Sequence, residues 1–433
     1  SHQYKTSGLE TTASYWLNWT SPTNIFACYN DILARRSIDG GQFWSYDIYG
    51  LDTLGGSIND INMTILNPST GLMYAAAGEQ PGSNANYTDA RILQFRGRIS
   101  VSADSGKNWT TLHNFSTKPV SSLAFDKNPA NPNGMYATVI DVLGGIGDVY
   151  YSADVTTFPN TWTRLTSPPR TEGRPLQIIV LNKDTLISVY GARNSASSGT
   201  AVFTNSSGVF YSTDGGLTWA DINPASMTME TVNVEIDPND PSQNTWLAFV
   251  GSQSTATGGV YRTTSRGVVW TNVYSQAALS GTFHPTLPNE LYICTEVNGL
   301  QYATNTDSTV FSISNVASYP FRRPQKIFFN PYDVNEVWAA SFGNGFRVGT
   351  TSITTNISSY NSVIKDEAFL YPNPTTGKLT FSQTLYDIVV FNIYGQAVMA
   401  KINSAKNISV EELPDGVYFI RTNNTAMKFI VKH

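Results

Sequence analysis

The sequence predicts an all-β protein in which a large domain of repeated β-sheets is followed by a small β-sandwich. Three observations support this prediction. A Ser-x-Asp-x-Gly turn recurs along residues 1–350, short apolar strands alternate with Gly-, Asn- and Pro-containing turns, and the composition changes near residue 350.

The turn repeat is clearest at residues 212–219, which read STDGGLTW. Related segments are SIDGGQFW at 37–44 and SADSGKNW at 102–109, with a stretched copy at 152–162 and a degenerate copy, TTSRGVVW, at 263–270. Glycine permits the positive φ of a tight turn, and the Asp carboxylate can accept backbone N–H bonds within it. We therefore expect these segments to form hairpin turns. Their assigned residues are Ser37, Asp39, Gly41, Trp44, Ser102, Asp104, Gly106, Trp109, Ser152, Asp154, Trp162, Ser212, Asp214, Gly216, Trp219, Gly267 and Trp270.

A second repeated segment lies between these turns: an apolar residue, a turn that often reads Asn-Pro, Asp-Pro or His-Pro, and a short apolar strand. Its seven copies lie at 22–30, 66–76, 125–138, 181–191, 236–250, 283–295 and 329–341. The spacing of roughly 50 residues suits a four-stranded antiparallel blade. Residues 1–349 are therefore predicted to form a seven-bladed β-propeller.

These motifs resemble the Asp-box, or BNR-repeat, propellers. That group includes sialidases, xyloglucanase-type glycoside hydrolases, sortilin-like receptors and photosystem assembly factors. The resemblance implies that each Asp box is a turn between the third and fourth strands of a blade, with a structural rather than a catalytic role. It identifies a fold and not a function, because enzymes and non-enzymes share it.

Blade geometry predicts where ligand-binding residues lie. The turns between strands one and two and between strands three and four share one end of the propeller, here called the turn face. The variable loops lie at the other end, the loop face, where a rigid scaffold positions binding residues. The charged residues expected there are Asp31, Glu79, Asp89, Asp141, Glu172, Glu230, Glu296, Arg91, Arg96, Arg174, Arg193, Arg322 and Arg323.

Two enzyme classes would use the loop face in different ways. An inverting glycosidase needs two carboxyl groups roughly 6.5–9.5 Å apart, and the candidates are Asp31, Glu79, Asp141 and Glu296. A sialidase needs arginines around a sugar carboxylate. Its Phe-Arg-Ile-Pro motif precedes the first Asp box, whereas FRRP at 321–324 follows the last one here. Xyloglucanase-type enzymes carry two propellers, and one is predicted here. The sequence therefore favours a binding module, with a glycoside hydrolase as the alternative.

The remaining candidate residues indicate no cofactor or metal. Cys28 and Cys294 fall on equivalent strands of blades that are not neighbours, so we expect two buried free thiols. The four histidines form no pair with metal-ligand spacing. Trp16 and Trp19, in ASYWLNWT, are expected to form the strand that closes the ring.

Charge and hydropathy exclude two further classes. The net charge of −5 gives no basic patch for nucleic acid, and no apolar run approaches the length of a membrane helix. Charged residues make up only 14% of the chain, which suits an extracellular β protein. Because the chain begins at Ser1 without a signal peptide, we expect a processed or trimmed product.

After residue 349 the sequence changes character. Residues 350–365 are rich in Ser, Thr and Asn and are predicted to be a linker. Residues 366–433 contain short alternating strands separated by Pro-Asn-Pro, Tyr-Gly and Pro-Asp-Gly turns, which predicts a small Ig-like β-sandwich. The motif residues of this segment are Tyr371, Pro372, Asn373, Pro374, Gly377, Tyr394, Gly395, Leu413, Pro414, Gly416, Tyr418, Lys428 and Lys432.

This order of motifs resembles the C-terminal sorting domain of type IX secretion, the export route of the Bacteroidetes. The resemblance implies export across the outer membrane to the cell surface or the extracellular space. It also implies recognition of the tail by the translocon and its outer-membrane shuttle protein, and removal of the tail by a sortase. The predicted function is that of an exported protein whose propeller binds a glycan or a surface protein.

Overall fold

The structure is a computed structural model of the chain. It describes residues 3–6, 12–30, 32–51, 60–78, 89–92, 96–116, 118–142, 145–194, 202–228, 230–252, 255–351, 369–422 and 426–433. The chain divides into two compact units, Ser1–Ile353 and Thr354–His433, which are treated separately below. Most of the predicted linker, from residue 352 onward, lies outside the described residues.

The described part of the N-terminal unit forms seven antiparallel sheets. The chain starts with β1 (Gln3–Thr6), which belongs to the last sheet. The strands of the first three sheets follow in chain order. Sheet one contains β2 (Ser14–Trp19), β3 (Ile25–Tyr29) and β4 (Ala34–Ser37). Sheet two contains β5 (Ile61–Leu66), β6 (Met73–Gly78), β7 (Gly97–Ser102) and β8 (Thr110–His113), with the short helix α1 (Asp89–Ile92) between β6 and β7. Sheet three contains β9 (Val120–Phe125), β10 (Met135–Val139), β11 (Asp148–Ser152) and β12 (Thr163–Arg164).

The remaining four sheets follow the same order. Sheet four contains β13 (Pro175–Asn182), β14 (Thr185–Tyr190), β15 (Gly208–Ser212) and β16 (Ala220–Asp221), and a 3-10 helix (Ala225–Met227) leads to the next sheet. Sheet five contains β17 (Thr231–Ile236), β18 (Trp246–Ser252), β19 (Thr255–Thr263) and β20 (Thr271–Tyr274). Sheet six contains β21 (Ala278–Phe283), β22 (Leu291–Thr295), β23 (Leu300–Ala303) and β24 (Ile313–Asn315). Sheet seven contains β25 (Pro324–Asn330), β26 (Asp333–Ser341), β27 (Phe346–Thr350) and β1. The all-β prediction is confirmed.

The sheets close into a ring around a central channel. The first strands of consecutive sheets contact one another, and β25 of the last sheet contacts β2 of the first. Strand β1 completes the last sheet by pairing with β27, so the two ends of the unit meet in one sheet. The expectation that Trp16 and Trp19 form the closing strand is therefore wrong. They lie in β2, a first strand, where bulky side chains pack against the neighbouring sheet, and Trp16 meets Phe328 edge-on at 5.3 Å.

Polar side chains join the first strands of neighbouring sheets. A first strand has a partner strand on one edge only, so its other edge needs a different source of hydrogen bonds. Ser121 Oγ donates to the Pro175 carbonyl at 2.7 Å, and the Gln177 amide both donates to and accepts from the backbone of Val234. Similar side-chain bonds run from Asn18 to Thr64, Asn62 to Val120 and Ser280 to Gln325.

The repeat turns, here meaning 37–44, 102–109, 152–162, 212–219 and 263–270, connect the third strand to the outer edge of five sheets. In 212–219, Ser212 Oγ donates to Asp214 Oδ1 at 2.8 Å and accepts from the Gly216 N–H at 2.9 Å. Asp214 Oδ1 also accepts from the Thr218 N–H. Hydrogen bonds from Thr218 lower the pKa of Asp214 to about 2, so the turn keeps its ionised carboxylate well into the acid range.

The second glycine position of four repeat turns packs against the preceding sheet. A Cβ on Gly106 would lie 2.4 Å from Phe26, and one on Gly216 would lie 2.6 Å from Leu165. The residue directly before this glycine also has positive φ. In two of the turns that residue is Ser105 or Arg266, so this preceding position accepts a side chain. Each repeat turn of this form therefore joins its own sheet to the previous one.

The described part of the C-terminal unit contains five strands around its own core. They are β28 (Leu370–Tyr371), β29 (Lys378–Asn392), β30 (Ile402–Ser409), β31 (Gly416–Arg421) and β32 (Ala426–Val431). The long strand β29 is irregular between Thr380 and Leu385. It pairs with β28 and β30 along its first part and with β31 along its last part. Alternate residues of these strands, such as Leu379, Phe381 and Ile420, form the core.

Cys28 and Cys294 lie in the second strands of sheets one and six. Both are free and fully buried, as predicted. Among the described residues, no helix has the length and apolar character required to span a bilayer.

Candidate functional site

The structure describes two of the four candidate catalytic carboxylates. Asp141 follows β10 and Glu296 follows β22, so both lie in loops on the predicted loop face, and both are buried. Asp31 and Glu79 lie outside the described residues, as does the side chain of Arg91.

Four loops bring charged residues together at the channel end of sheets four and five. This mouth cluster consists of Asp89, Glu172, Arg174, Arg193 and Glu230. Arg193 Nε lies 2.6 Å from Asp89 Oδ2, and Arg193 Nη1 lies 3.4 Å from Glu172 Oε1. One guanidinium therefore links a carboxylate of the sheet-two loop to a carboxylate of the loop that enters sheet four. The Thr204 hydroxyl also donates to Glu172.

The second ion pair of the mouth cluster is almost completely buried. Arg174 and Glu230 expose 1% and 4% of their side chains, and Arg174 Nη1 lies 3.6 Å from Glu230 Oε1. That distance exceeds a hydrogen bond, and neither carboxylate oxygen of Glu230 has a hydrogen-bond partner among the described residues. Arg174 also donates to the carbonyl of Ala192.

The two candidate catalytic carboxylates are also paired with basic side chains. Lys118 Nζ lies 3.3 Å from Asp141 Oδ1, and the Ile146 N–H donates to Asp141 Oδ2. Arg323 Nε lies 3.1 Å from Glu296 Oε1, with its guanidinium 4.1 Å above the Phe342 ring. Each described candidate therefore has a specific cation beside it.

Burial raises the pKa of three loop-face carboxyl groups. It raises the pKa of Glu230 to about 7, although the Arg174 guanidinium opposes the shift. It also raises the pKa of Asp89 and of Glu296, again against the effect of their arginine partners. Loss of solvation thus outweighs ion pairing at these positions.

Helix α1 lies over part of the channel. Ile92 is 1% exposed and packs with Ile140, Val142 and Leu176, and Val232 flanks the group. These partners come from sheets three, four and five, whereas α1 belongs to the sheet-two loop. The Asp89 N–H donates to the Asn194 carbonyl, which fixes the start of the helix beside the mouth cluster.

The first strands of all seven sheets surround a channel cavity of about 290 Å³. Its wall combines polar and apolar side chains. Trp16, Met63 and Leu279 contribute apolar surface, while Asn233 and Gln325 contribute amides. The lower limit for pockets that hold small ligands is about 300 Å³, so the cavity suits a compact group.

An ion pair crosses the channel beside this cavity. Lys326 Nζ, from sheet seven, lies 2.5 Å from Glu235 Oε1 of sheet five and 5.5 Å from the centre of the Trp16 ring. This pair and the channel amides are not among the residues predicted from the sequence. The sequence pattern that could have indicated the channel amides is a polar residue near the start of each otherwise apolar first strand. Examples are LQI at 176–178 and VNV at 232–234.

The described residues contain no group of three or more His, Cys, Asp or Glu side chains arranged to hold a metal ion. The charged residues of the mouth cluster are instead arranged in pairs of opposite sign. Their chemistry is that of structural or ligand-facing ion pairs, with carboxylates and guanidiniums already close to one another.

In the C-terminal unit the predicted motif residues form turns and fix the last strand. Asn373 Nδ2 donates to the Lys428 carbonyl, and Asn373 Oδ1 accepts from the Ile430 N–H. The Tyr418 hydroxyl donates to the Pro414 carbonyl at 2.9 Å, and its ring stacks on Phe429. The side chain of Tyr394 is 80% exposed.

Comparison with known families assigns this unit. Residues 369–433 match the secretion system C-terminal sorting domain. A search of the curated proteins gives no match.

Solved structures with the same architecture cover the propeller. The GH74 xyloglucanase from Xanthomonas campestris is 12% identical with a TM-score of 0.55, covering 99% of this chain and 68% of the enzyme. YCF48 from Cyanidioschyzon merolae is 11% identical with a TM-score of 0.52, covering 80% of this chain and 98% of YCF48. YCF48 bound to D1 peptide is 13% identical with a TM-score of 0.52, covering 81% of this chain and 97% of YCF48. At these identities the likeness shows the fold, and the propeller prediction is confirmed.

The sorting domain determines the destination of the protein. The chain carries a type IX secretion signal at residues 369–433 and is exported to the cell surface or the extracellular space. The tail interacts with that secretion system.

Proposed function

We propose that the propeller is a ligand-binding module of an exported protein, and that its ligand is a glycan or a surface protein bound at the loop face. The observation that supports this most strongly is the pairing of the loop-face carboxylates. Asp141 and Glu296 are each held by a basic side chain. A general acid and base would instead need two carboxyl groups free to face one substrate bond.

The shape of the loop face supports the same proposal. Loops of several sheets meet at the mouth cluster, and the channel cavity opens among the first strands of all seven sheets. Concave sites of this kind on rigid scaffolds are common ligand sites. Among proteins of this fold, YCF48 is bound to D1 peptide and a GH74 protein is a xyloglucanase, so peptides and glycans are both reasonable probes.

The experiment compares binding with turnover on the full chain. Purified protein is tested for binding to insoluble polysaccharides, soluble oligosaccharides and peptides, and in parallel for hydrolysis of xyloglucan and aryl glycosides. We expect binding to at least one ligand without release of reducing sugar. Hydrolysis that disappears in folded Asp141→Asn or Glu296→Gln would overturn the proposal.

A glycoside hydrolase is the second candidate, and one observation favours it. The pKa of Glu230 near 7 is in the range of a general acid at neutral pH. If this candidate is correct, Glu230→Gln should lower the hydrolysis rate by at least 100-fold, while an Arg266→Gln control on the turn face should leave the rate unchanged. Equal rates in both variants would remove Glu230 from the mechanism.

For the tail we propose recognition by the translocon and its outer-membrane shuttle protein, followed by removal by a sortase. The contacts of Asn373 and Tyr418 support this, because they hold the last strand and the preceding turn in a defined shape. Secreted protein should retain the propeller and lack residues 369–433 in mass spectrometry. Full-length protein on the surface of sortase-competent cells would contradict removal.

A further inference from the structure

We propose that the channel cavity binds a neutral, hydroxyl-rich group, namely the end of a carbohydrate chain, through the amides of Asn233 and Gln325 and the ring of Trp16. This inference deepens the binding function proposed above and depends on it. It selects one ligand class and one position from the wider set of possibilities on the loop face.

The polar side chains that line the cavity include four amides, and two of these make no hydrogen bond among the described residues. These are the side-chain amides of Asn233 and Gln325, and Asn233 Oδ1 is buried without a hydrogen-bond partner. A third amide, that of Asn62, donates to the Val120 carbonyl. Its Oδ1 is buried and has no hydrogen-bond partner among the described residues. Amides both donate and accept, which matches the hydroxyl groups of a sugar.

The charge of the cavity disfavours an ionic ligand. Among the described residues that line the cavity, Lys326 is the one basic residue, and Glu235 neutralises it at 2.5 Å. An acidic ligand would have to displace Glu235 from Lys326 and leave that carboxylate unpaired, and a cationic ligand would lie beside Lys326. Either change costs more free energy than placing a neutral group there.

The apolar part of the wall suits a sugar ring. Trp16 presents an indole to the cavity, and Met63, Leu279 and Val232 extend the apolar surface. Sugar rings combine C–H faces that pack on aromatic rings with hydroxyl groups at their edges. The cavity volume of about 290 Å³ limits the bound group to the end of a chain.

A peptide backbone is less well suited to this position. Binding of an extended peptide requires strand edges with free N–H and C=O groups. Here the first strands are already joined by side chains, such as Gln177 on Val234 and Ser121 on Pro175. A peptide would therefore find few backbone partners inside the channel.

The test uses the full chain and a defined set of probes. Neutral oligosaccharides, including cellotriose, mannotriose and maltotriose, are compared with sialyllactose and with a peptide mixture by isothermal titration and saturation-transfer NMR. We expect a neutral oligosaccharide to bind. Asn233→Leu and Gln325→Leu should each weaken that binding about tenfold or more, the effect of losing one well-placed hydrogen bond to a ligand.

The matched control is Asn239→Leu, which removes the same functional group from an exposed position on the turn face. Melting temperatures of all variants show whether they remain folded. Oligosaccharide binding that is equal in Asn233→Leu, Gln325→Leu and wild type would overturn the cavity assignment and leave the binding module intact. Preferential binding of sialyllactose or peptide would overturn the ligand class. Failure of every probe would overturn both proposals.

Discussion

The two faces of the propeller contain carboxylates whose pKa values shift in opposite directions. On the turn face, hydrogen bonds from the adjacent backbone and side chains lower the pKa of Asp214 and Asp39. On the loop face, burial raises the pKa of Glu230, Asp89 and Glu296. The same functional group therefore has a local hydrogen-bonding role at one end of the protein and a desolvated, ion-paired role at the other.

The difference follows from the range of the interactions. A repeat turn satisfies its Asp with donors two to four residues away, as Ser212 and Thr218 do for Asp214. The loop face relies on partners far apart in sequence, as Arg193 does for Asp89. Short-range interactions recur wherever the motif recurs, whereas long-range interactions depend on the particular loops that meet.

The largest effect is expected on the turn face, at Gly106. Gly106→Ala places a Cβ 2.4 Å from Phe26 at a residue with φ of +85°. Backbone strain of about 1–2 kcal/mol and overpacking of about 1–3 kcal/mol should together lower the free energy of unfolding by about 2–5 kcal/mol. Chemical denaturation of the full chain measures the change in the propeller transition.

Gly215→Ala is the matched control for that variant. Gly215 also has positive φ, but a Cβ there would meet nothing within 4 Å. We expect backbone strain alone, about 1–2 kcal/mol. Equal losses in the two variants would show that contact with the preceding sheet contributes nothing at the repeat turns.

The second prediction concerns pH and the loop face. The folded-state pKa of Glu230 is raised to about 7 from an ordinary value of 4.5, so the folded protein binds more protons than the unfolded chain between these values. The stabilising contribution is complete below pH 4.5 and is lost as the pH rises to 7. The loss is about 3 kcal/mol at roughly 1.4 kcal/mol per pKa unit.

Glu230→Gln should remove this pH dependence, because an amide does not titrate. The unfolding free energies of wild type and variant are compared by denaturation from pH 4.5 to pH 8, with exposed Glu412→Gln as the control. As the pH rises across this window, the free energy of unfolding of the wild type should fall relative to that of Glu230→Gln. Parallel curves for wild type and Glu230→Gln would show that burial does not shift this carboxyl group.

The same contrast explains what the sequence could predict. Residues 212–219 contain both partners of each turn bond, so the turn can be recognised within one segment. The pairing of Arg174 with Glu230 joins residues 56 positions apart, and no local pattern indicates it. The ring closure was predicted at the wrong strand for the same reason. QYKT at 3–6 carries no repeat signal, and its partner β27 is more than 340 residues away.

The smallest effect is expected at the serine of the repeat turns, where a regular copy can be compared with the stretched one. Ser212 Oγ accepts from Gly216 and donates to Asp214, whereas Ser152 Oγ only donates to the Asp154 carbonyl, at 3.3 Å. Ser212→Ala should lower the free energy of unfolding by about 1–2 kcal/mol, because the Gly216 N–H is left without its partner. Ser152→Ala should cost about 0.5 kcal/mol, since it removes one long hydrogen bond.

Both serines are 2% exposed, so the comparison is not confounded by a difference in burial. Denaturant midpoints of the two variants, measured in the same buffer, give the difference directly. An equal or larger loss for Ser152→Ala would mean that the stretched turn is held by its serine at least as firmly as the regular one. The stabilisation that these turns gain from their local hydrogen bonds would then not depend on the spacing of Ser, Asp and Gly.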